Sequence, residues 1–445
     1  MAGGNEPTYF DGLRMSKKQK LFMILMIAGT FLEQIDLYNF SILAPGLMKV
    51  WDLSVSQVGS VQGAFAVGAV LGCLVFGWYA DKKGRKVAMG IACIIGGTGA
   101  FLSSMAPNLQ ILIAARIISG FGITGALLIE APFLVEMVPS DKRSKYQGIL
   151  AIIAVCGIPL TAALATKLLL ITPEYWRYVA AIPSVGILVG ILFLLFVPES
   201  PRWLISNDRA EEGMKVFKDI TGQELNIDPD FQCIVEKATY AEAFRIMFSR
   251  AFMVRTAMFT AIWLLLYNAG FMFMQWLPTL LTKEGMELAQ VMKYQQLVTL
   301  ALILGPVYIT LFGDKGGRKY PYTLAMSLVA VALFGISIAG TTHSGLLTAA
   351  VLLAGTFYIT NQAFSSIYTS ECYPTRVRVL IVGLFMICQR GFNIFTNSVV
   401  APKLYASIGF SGYFRILAIV YLAVVVLILW LGPKTSGKSL EELNS

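Results

Sequence analysis

The chain has 445 residues, of which 56% are hydrophobic and only 14% are charged, and its mean hydropathy is +0.69. Soluble domains carry about 25% charged residues, so this composition excludes an ordinary cytosolic enzyme, a disordered protein and a secreted scaffold. It predicts a polytopic membrane protein, and at about 37 residues per helix and loop the length allows roughly twelve spans.

The formal net charge is +9. In a membrane protein this excess arises because Lys and Arg collect in cytoplasmic loops, so we predict no nucleic-acid partner. The six cysteines mostly fall inside apolar runs without a CxxC pair, which predicts neither a disulfide framework nor a metal site. Nucleotide-binding signatures are missing, so we expect no ATP-driven transport and no cofactor.

Twelve apolar stretches follow one another along the chain, and their length favours helices over the strands of a barrel. The first six cover residues 21–48, 58–79, 87–106, 109–138, 144–171 and 178–197. Six more cover 252–281, 291–312, 320–340, 345–370, 377–403 and 411–432. The predicted fold class is therefore an all-α membrane protein with twelve transmembrane helices in two pseudo-symmetric six-helix bundles. These bundles, 21–197 and 251–432, are joined by a central loop at 198–250 and flanked by tails at 1–20 and 433–445.

Basic residues are concentrated in alternate loops. They follow the second, fourth, eighth and tenth predicted spans: Lys82, Lys83, Arg85, Lys86, Lys142, Arg143, Lys145, Lys315, Arg318, Lys319, Arg376 and Arg378. By the positive-inside rule, these loops, the central loop and both termini face the cytoplasm. We expect a multi-pass protein of the plasma membrane that functions as a monomer in the lipid bilayer.

Two motifs recur in the two halves of the chain. DKKGRK at 81–86 is matched by DKGGRK at 314–319, an offset of 233 residues from 81 to 314. ExxPxxxR at 136–143 recurs at 371–378, an offset of 235 residues from 136 to 371. Two independent motifs at nearly one offset indicate duplicated halves, which are typical of secondary transporters that bind substrate between the repeats.

The segment Gly77–Lys86 resembles the signature between the second and third helices of the major facilitator superfamily. Pro198–Trp203, PESPRW, looks like an element shared by sugar porters, organic-ion transporters and aromatic-acid:proton symporters, and Pro433–Glu442 is similar to the sugar-porter tail. The seventh span lacks the Gln-Gln pair of sugar porters, and its end, Trp276–Pro278, resembles the organic-ion branch. In that branch anion carriers have a basic residue at the position of Arg390, so the resemblance implies an organic anion.

Arg390 lies near the middle of the eleventh span, where a charge costs at least about 2.5–3.5 kcal/mol. A planar guanidinium matches the geometry of a carboxylate, and Asn393 and Asn397 continue the polar side of the helix. We predict that Arg390 and Asn393 contact an anionic substrate. The alternative is a structural ion pair between Arg390 and an acid of the first or fourth span.

Further polar and aromatic side chains lie in spans that are expected to line a cavity. Aromatic rings can stack on an aromatic substrate, and amides can orient a substrate or bridge helices. The candidate substrate contacts are Tyr267, Asn268 and Trp276 in the seventh span, and Asn361 and Gln362 in the tenth. Packing between helices is the alternative for each of them.

Proton chemistry must use carboxylates, because the one histidine lies in a polar turn. Glu33 and Asp36 are spaced i, i+3 on the first span, and each is costly to bury unless it is paired or protonated. We predict Asp36 as the proton site, a choice that the family resemblance also implies, assisted by Glu33 or by Glu130 of the fourth span. The structural alternatives are pairing of a first-span acid with Arg116 and pairing of Glu130 with Arg390.

The charged residues near the loops predict a network that stabilises one conformation of the transporter. A free-energy difference of a few kcal/mol between conformations is enough for this role. The predicted gating set is Asp81, Arg85, Glu136, Arg143, Asp314, Arg318, Glu371 and Arg378. Glu136 is expected to pair with Arg143 or with the loop between the second and third spans. A merely solvated, topology-setting loop is the alternative.

Taken with the resemblance, these residues predict a secondary active transporter, not an enzyme. It would move a small organic anion, an aromatic or other carboxylate, together with protons by alternating access. The alternatives are a proton-coupled organic cation or drug exporter, a sugar porter, and, outside the transporters, a transporter-like nutrient sensor.

Overall fold

The computed structural model describes residues 10, 13–224, 239–313, 317–374 and 377–433, and over these ranges the chain is helical and forms no strand. Asp314, the tail after residue 433 and most of the first twelve residues lie outside the described residues. The remaining predicted spans and candidate site residues all fall inside them.

The first six spans are helices α1 to α6. They comprise α1 (Lys17–Trp51), α2 (Val55–Lys83), α3 (Arg85–Met105), α4 (Leu109–Met137), α5 (Ser140–Ile171) and α6 (Pro173–Phe196). Their ends follow local chemistry: the side chain of Asn108 accepts the N–H of Ile111 at 3.0 Å and so caps α4. Helix α6 contains two 3₁₀ turns, Pro173–Tyr175 and Ile182–Val185, and each has a proline in its first turn.

Three short helices occupy the described part of the central loop. They are α7 (Pro201–Ser206), α8 (Ala210–Thr221) and α9 (Tyr240–Met247). Ser200 caps α7 because its hydroxyl accepts the N–H of Trp203 at 3.1 Å. Gly222 ends α8 with φ +75°, a left-handed conformation that glycine adopts without steric cost.

The later spans begin with α10 (Met253–Lys283), α11 (Leu288–Phe312), α12 (Lys319–Ala339) and α13 (Ser344–Glu371). They end with an apolar helical run of 52 residues, Leu380–Leu431. At 1.5 Å per residue such a run would extend about 78 Å, whereas the hydrocarbon core is about 30 Å thick. Gly409 has φ +65° and interrupts the helix, so we treat the run as α14 (378–408) and α15 (410–431).

The hydrogen bonds between α12 and α15 show the direction of α15. Ser337, near the end of α12, donates to the carbonyl of Ser411 at 2.7 Å, and Lys319, at the start of α12, donates to the carbonyl of Gly432 at 2.8 Å. Helix α15 is therefore antiparallel to α12. With the last run divided at Gly409, the described residues contain twelve helices that are long and apolar enough to cross a membrane. The helical structure confirms the predicted all-α fold class.

The chain divides into two compact units. Unit 1 consists of Met1–Leu37, Ala64–Gly157 and Ala180–Glu236, and unit 2 consists of Tyr38–Gly63, Ile158–Val179 and Lys237–Ser445. In unit 1 the rings of Phe22, Phe133 and Phe193 pack edge to face or tilted at 4.9–6.1 Å within the core. The boundaries follow contacts and cut through α1, α2, α5 and α6, so unit 2 includes one end of each of these helices.

Candidate functional site

Arg390 is half-buried on α14 in unit 2. Its guanidinium carbon lies 5.9 Å from the ring centre of Phe271, within range of a cation–π contact. It also acts electrostatically on the hydroxyls of Tyr38 and Tyr267, which places it near both. Among the described residues, no carboxylate forms an ion pair with Arg390, so the predicted alternative of a structural ion pair finds no partner there.

A stack of rings along α10 leads to Arg390. The ring centres of Phe385 of α14 and Trp263 are 6.3 Å apart. The ring centres of Trp263 and Tyr267 are 5.5 Å apart, and those of Tyr267 and Phe271 are 5.4 Å apart. The planes of successive rings differ by 8°, 9° and 30°. A π-helical turn at Ile262–Leu266 interrupts the α-helical geometry beside the stack, as π-helical turns frequently do at functional sites.

Hydroxyl and amide groups lie beside the same rings. The hydroxyls of Tyr38 and Tyr358 are 3.2 Å apart, and the amide nitrogen of Gln362 lies 3.5 Å from the Tyr358 hydroxyl. Phe271 packs edge to face on Tyr358 with ring centres 6.4 Å apart. The predicted contact Tyr267 thus stacks on Phe271, the ring that Arg390 faces, and the predicted contact Gln362 lies beside Tyr358. These rings can stack on a planar ligand.

The other predicted amide contacts bridge helices. Asn393 of α14 donates to Asn268 of α10 at 3.0 Å. Asn361 is 1% exposed, and its carbonyl oxygen accepts hydrogen bonds from Tyr322 at 2.7 Å and Ser365 at 3.1 Å. These amides are therefore occupied by bonds within the helix packing, the role that amides commonly have between membrane helices.

Trp276 also lies in the packing between helices. It is completely buried, and its indole N–H donates to the side chain of Asn397 at 3.0 Å. A Cβ on Gly59 of α2 would lie 3.4 Å from the Trp276 ring and 2.9 Å from Pro402. Glycine at position 59 thus permits α2 to approach α10 and α14 closely.

The ends of α1 and α2 in unit 2 are joined to α10 by side chains that bind its main chain. Ser41 donates to the carbonyls of Met274 at 3.2 Å and Gln275 at 2.9 Å. Gln62 donates to the carbonyl of Gln275 at 3.3 Å. These bonds tie α1 and α2 to α10 within unit 2.

Asp36 of α1 is neutralised in unit 1. Its carboxylate accepts a hydrogen bond from Arg116 of α4 at 3.0 Å and another from the hydroxyl of Ser119. Asp36 is 1% and Arg116 5% exposed, and the Arg116 guanidinium also lies 4.5 Å from the ring of Phe65. This is the first-span pairing that the sequence offered as an alternative for Arg116.

Glu33 lies one turn before Asp36 but has different neighbours. It is 4% exposed, and neither of its carboxylate oxygens has a hydrogen-bond partner among the described residues. Its acidic neighbour on α4 is Glu130, which is half-buried and lies beside Thr30. The pairing of Glu130 with Arg390 does not occur among the described ion pairs.

The predicted charged network of unit 1 is centred on Arg85. Its side chain contacts Asp81 at 2.7 Å and Glu136 at 3.4 Å, so Glu136 pairs with the loop between α2 and α3. Arg143 instead donates to the carbonyl of Val138 at 3.2 Å. Asp81, Arg85 and Glu136 thus form a local network at the ends of α2 to α4.

Glu199, in the PESPRW segment, binds the start of α3. Its carboxylate accepts the backbone N–H groups of Arg85 at 2.9 Å, Lys86 at 3.0 Å and Ser200 at 2.9 Å. An anion at a helix N-terminus is stabilised by free N–H groups and by the helix dipole. Burial nonetheless raises the pKa of Glu199 above its ordinary value, and these N–H donors act in the opposite direction.

Gly84→Ala is expected to destabilise this junction. Gly84 has φ +105° and ψ +156°, a conformation that costs other residues about 1–3 kcal/mol, and a Cβ there would lie 2.0 Å from the Glu199 carboxylate. Thermal unfolding in detergent should show a lower Tm. Gly222→Ala is the control, since its φ is +75° but nothing lies within 4 Å of the added Cβ; equal losses of Tm for the two variants would contradict the role of the Glu199 contact.

Unit 2 repeats the central contact of this network. Arg318 donates to Glu371 at 2.8 Å, as Arg85 does to Glu136, and the two pairs stand at the offsets of 233 and 235 residues found in the sequence. Arg378 is half-buried at the start of α14. The predicted counterpart of Asp81, Asp314, is outside the described residues.

Three neighbours of the candidate residues escaped the sequence analysis: Phe271, Tyr358 and Ser119. Ser119 could have been found, because it stands three residues after Arg116 and so shares its side of α4. Phe271 stands four residues after Tyr267 on the same helix, which places it on the same side of α10. Tyr358 is distant in sequence from every residue that it contacts on α1 and α10, so no local signal marks it.

Comparison with known proteins gives consistent matches over the whole chain. Residues 15–445 match the family described as sugar (and other) transporter. The niacin transporter of Acinetobacter baylyi is 25% identical over 98% of each chain. The arabinose-proton symporter of Bacillus subtilis is 25% identical over 90% of this chain and 89% of the relative.

The fold also matches a solved transporter. The inward open structure of the xylose transporter XylE from E. coli superimposes with a TM-score of 0.74 and 20% identity, covering 96% of this chain and 99% of that chain. The family consists of membrane transporters rather than enzymes. With twelve apolar helices among its described residues and a family match over nearly its full length, this chain belongs to the sugar (and other) transporter family of the major facilitator superfamily.

Proposed function

We propose that the protein is a proton-coupled symporter of small aromatic carboxylates that works by alternating access. The observation that carries this proposal is the Arg390 guanidinium, which has no ion-pair partner among the described residues and lies beside the ring of Phe271. A charge at this depth costs at least about 2.5–3.5 kcal/mol. A bound carboxylate would neutralise it and accept paired hydrogen bonds from it.

The stacked rings supply the second half of the recognition. A planar substrate whose carboxylate binds Arg390 would bring its own ring near Tyr267 and Phe271, where offset stacking contributes about 0.5–1.5 kcal/mol per ring pair. Gln362 and Tyr358 are close enough to offer hydrogen bonds to a ring substituent or ring nitrogen. The relative from Acinetobacter baylyi is a niacin transporter, and niacin is a small aromatic carboxylate.

Proton coupling is assigned to Asp36, with Glu33 and Glu130 as further acids. When Asp36 takes a proton it loses its charge attraction to Arg116, so protonation weakens a buried contact between α1 and α4. Release of the proton restores that contact. If two conformations of the transporter differ in the contact between Asp36 and Arg116, pH therefore shifts the equilibrium between them.

The charged networks around Arg85 and Arg318 are assigned to gating. The basic loops support cytoplasmic termini in a plasma-membrane protein. The bonds of Ser41 and Gln62 to α10 support a state that is closed on the outer side. We expect the transporter to act as a monomer.

The test is uptake into proteoliposomes with an imposed proton gradient. Labelled nicotinate and benzoate should accumulate inside when the inside is alkaline, and collapse of the gradient by an ionophore should end the accumulation. Arabinose and an organic cation, tetraethylammonium, form the comparison panel. Accumulation of the cation without the acids would overturn the proposal.

A monosaccharide is the second candidate substrate. The family and the arabinose-proton symporter of Bacillus subtilis favour it, and the hydroxyls of Tyr38 and Tyr358 could bind a sugar hydroxyl. Gradient-driven accumulation of arabinose without uptake of the acids would establish this second function in place of the first.

A further inference from the structure

We propose that Glu33 and Glu130 form a second proton site, separate from Asp36, so that two protons accompany each carboxylate. This inference rests on the proposed function for its substrate. It concerns the stoichiometry of transport, and it is carried by the surroundings of the two acids within unit 1.

Glu33 faces a small cavity at the centre of unit 1. The cavity measures about 20 Å³, and its walls come from α1, α3, α4 and α6. This exceeds the roughly 10–15 Å³ that one water molecule requires. Cys93 of α3 and Ile123 and Ala126 of α4 line it, so the Glu33 carboxylate borders a space large enough for one water molecule.

The surroundings of Glu33 do not support a charged carboxylate. Neither oxygen has a hydrogen-bond donor, and no basic residue forms an ion pair with Glu33 in the described part of the chain. The titratable groups that face it are Glu130 from α4 and Cys93 from α3, while α6 contributes only Pro183 and Gly186 to the cavity wall. An ionised carboxylate in such surroundings is strongly disfavoured relative to the neutral acid.

Glu130 of α4 is the acidic neighbour of Glu33, and it also lies beside Thr30 of α1. Two acids that share one site cannot both ionise at low cost because their charges repel, so the pair holds a proton between them. Glu130 is half-buried whereas Glu33 is 4% exposed, so Glu130 is the side of the pair through which a proton enters and leaves.

Asp36 does not belong to this pair, although it stands on the same helix. Its charge is balanced by Arg116 and its second oxygen is bound by Ser119. At the first site, a proton on Asp36 replaces the charge pair with Arg116. At the second site, Glu33 and Glu130 share the proton. If both load, a monovalent carboxylate moves with two protons, and each cycle transfers one net positive charge.

The experiment measures charge movement during nicotinate uptake in proteoliposomes under a potassium diffusion potential. The reversal potential at fixed pH and substrate gradients should give two protons per nicotinate for the unaltered protein. Glu33→Gln and Glu130→Gln should each reduce this number to one and make uptake insensitive to voltage. Glu174→Gln, an exposed acid on α6, is the control and should keep two.

One proton per nicotinate in the unaltered protein, or two in Glu33→Gln, would overturn the inference. Either result would leave the proposed symport function standing. A second readout needs no substrate. The infrared difference between the unaltered protein and Glu33→Gln at neutral pH should contain the C=O stretch of a protonated carboxylic acid. A carboxylate band in its place would refute the site even if nicotinate were not transported, and absent uptake of every acid would count against the proposed function alone.

Discussion

Arg390→Ala is expected to lower nicotinate and benzoate uptake about a hundredfold. Hydrogen bonds to a charged group contribute about 1.5–3 kcal/mol each, and a bidentate guanidinium makes two of them with a carboxylate. A net loss of about 3 kcal/mol corresponds to about a hundredfold in affinity. Initial rates in proteoliposomes with matched protein content, measured over a range of substrate concentrations, would show this as a raised KM.

Two variants make this result specific. Arg390→Lys keeps the charge but loses the planar pair of donors, so its uptake should lie between those of the unaltered protein and Arg390→Ala. Arg415→Ala removes an exposed arginine from α15 and should transport normally. Normal uptake by a folded Arg390→Ala would remove Arg390 from the substrate site and favour the sugar as substrate.

Asp36→Asn is expected to abolish proton-driven accumulation while substrate exchange across the membrane continues. The amide resembles the protonated acid in shape, so the loaded transporter can still reorient. It cannot restore the charge pair with Arg116 that we assign to the empty transporter. Net uptake under a gradient and counterflow of labelled against unlabelled nicotinate would separate the two activities.

The partner of Asp36 provides the matched control. Arg116→Ala leaves a buried carboxylate without its countercharge, which costs about 3–5 kcal/mol, so the variant should unfold at a clearly lower temperature. Combining Asp36→Asn with Arg116→Gln removes both charges and should recover most of that stability. Full accumulation by Asp36→Asn would exclude Asp36 from coupling.

The sequence was sufficient for the fold and for the contacts that are written as repeated motifs. The apolar runs predicted the crossings, and the offset between motifs predicted that Arg318 and Glu371 form the counterpart of the pair made by Arg85 and Glu136. These features are local or periodic. They depend on the thickness of the membrane and on duplication, both of which can be recognised along a single chain.

The composition of the candidate site was less accessible. Asn361 and Gln362 are adjacent in sequence, but about 100° apart around the helix, so Gln362 reaches Tyr358 whereas Asn361 binds Tyr322. Glu33 and Asp36 share a side of α1, yet only Asp36 meets an arginine. Packing between helices determines the neighbour of each polar residue in the membrane, and the hydropathy pattern of the sequence does not predict that neighbour.

The attachment of α1 and α2 to α10 has a consequence for evolutionary drift. Ser41 and Gln62 donate to the main-chain carbonyls of Met274 and Gln275, not to their side chains. Every amino acid supplies that acceptor, so residues 274 and 275 can diverge among descendants without loss of the bonds. Selection to preserve these bonds therefore falls on Ser41 and Gln62, whereas residues 274 and 275 are constrained only by their buried packing.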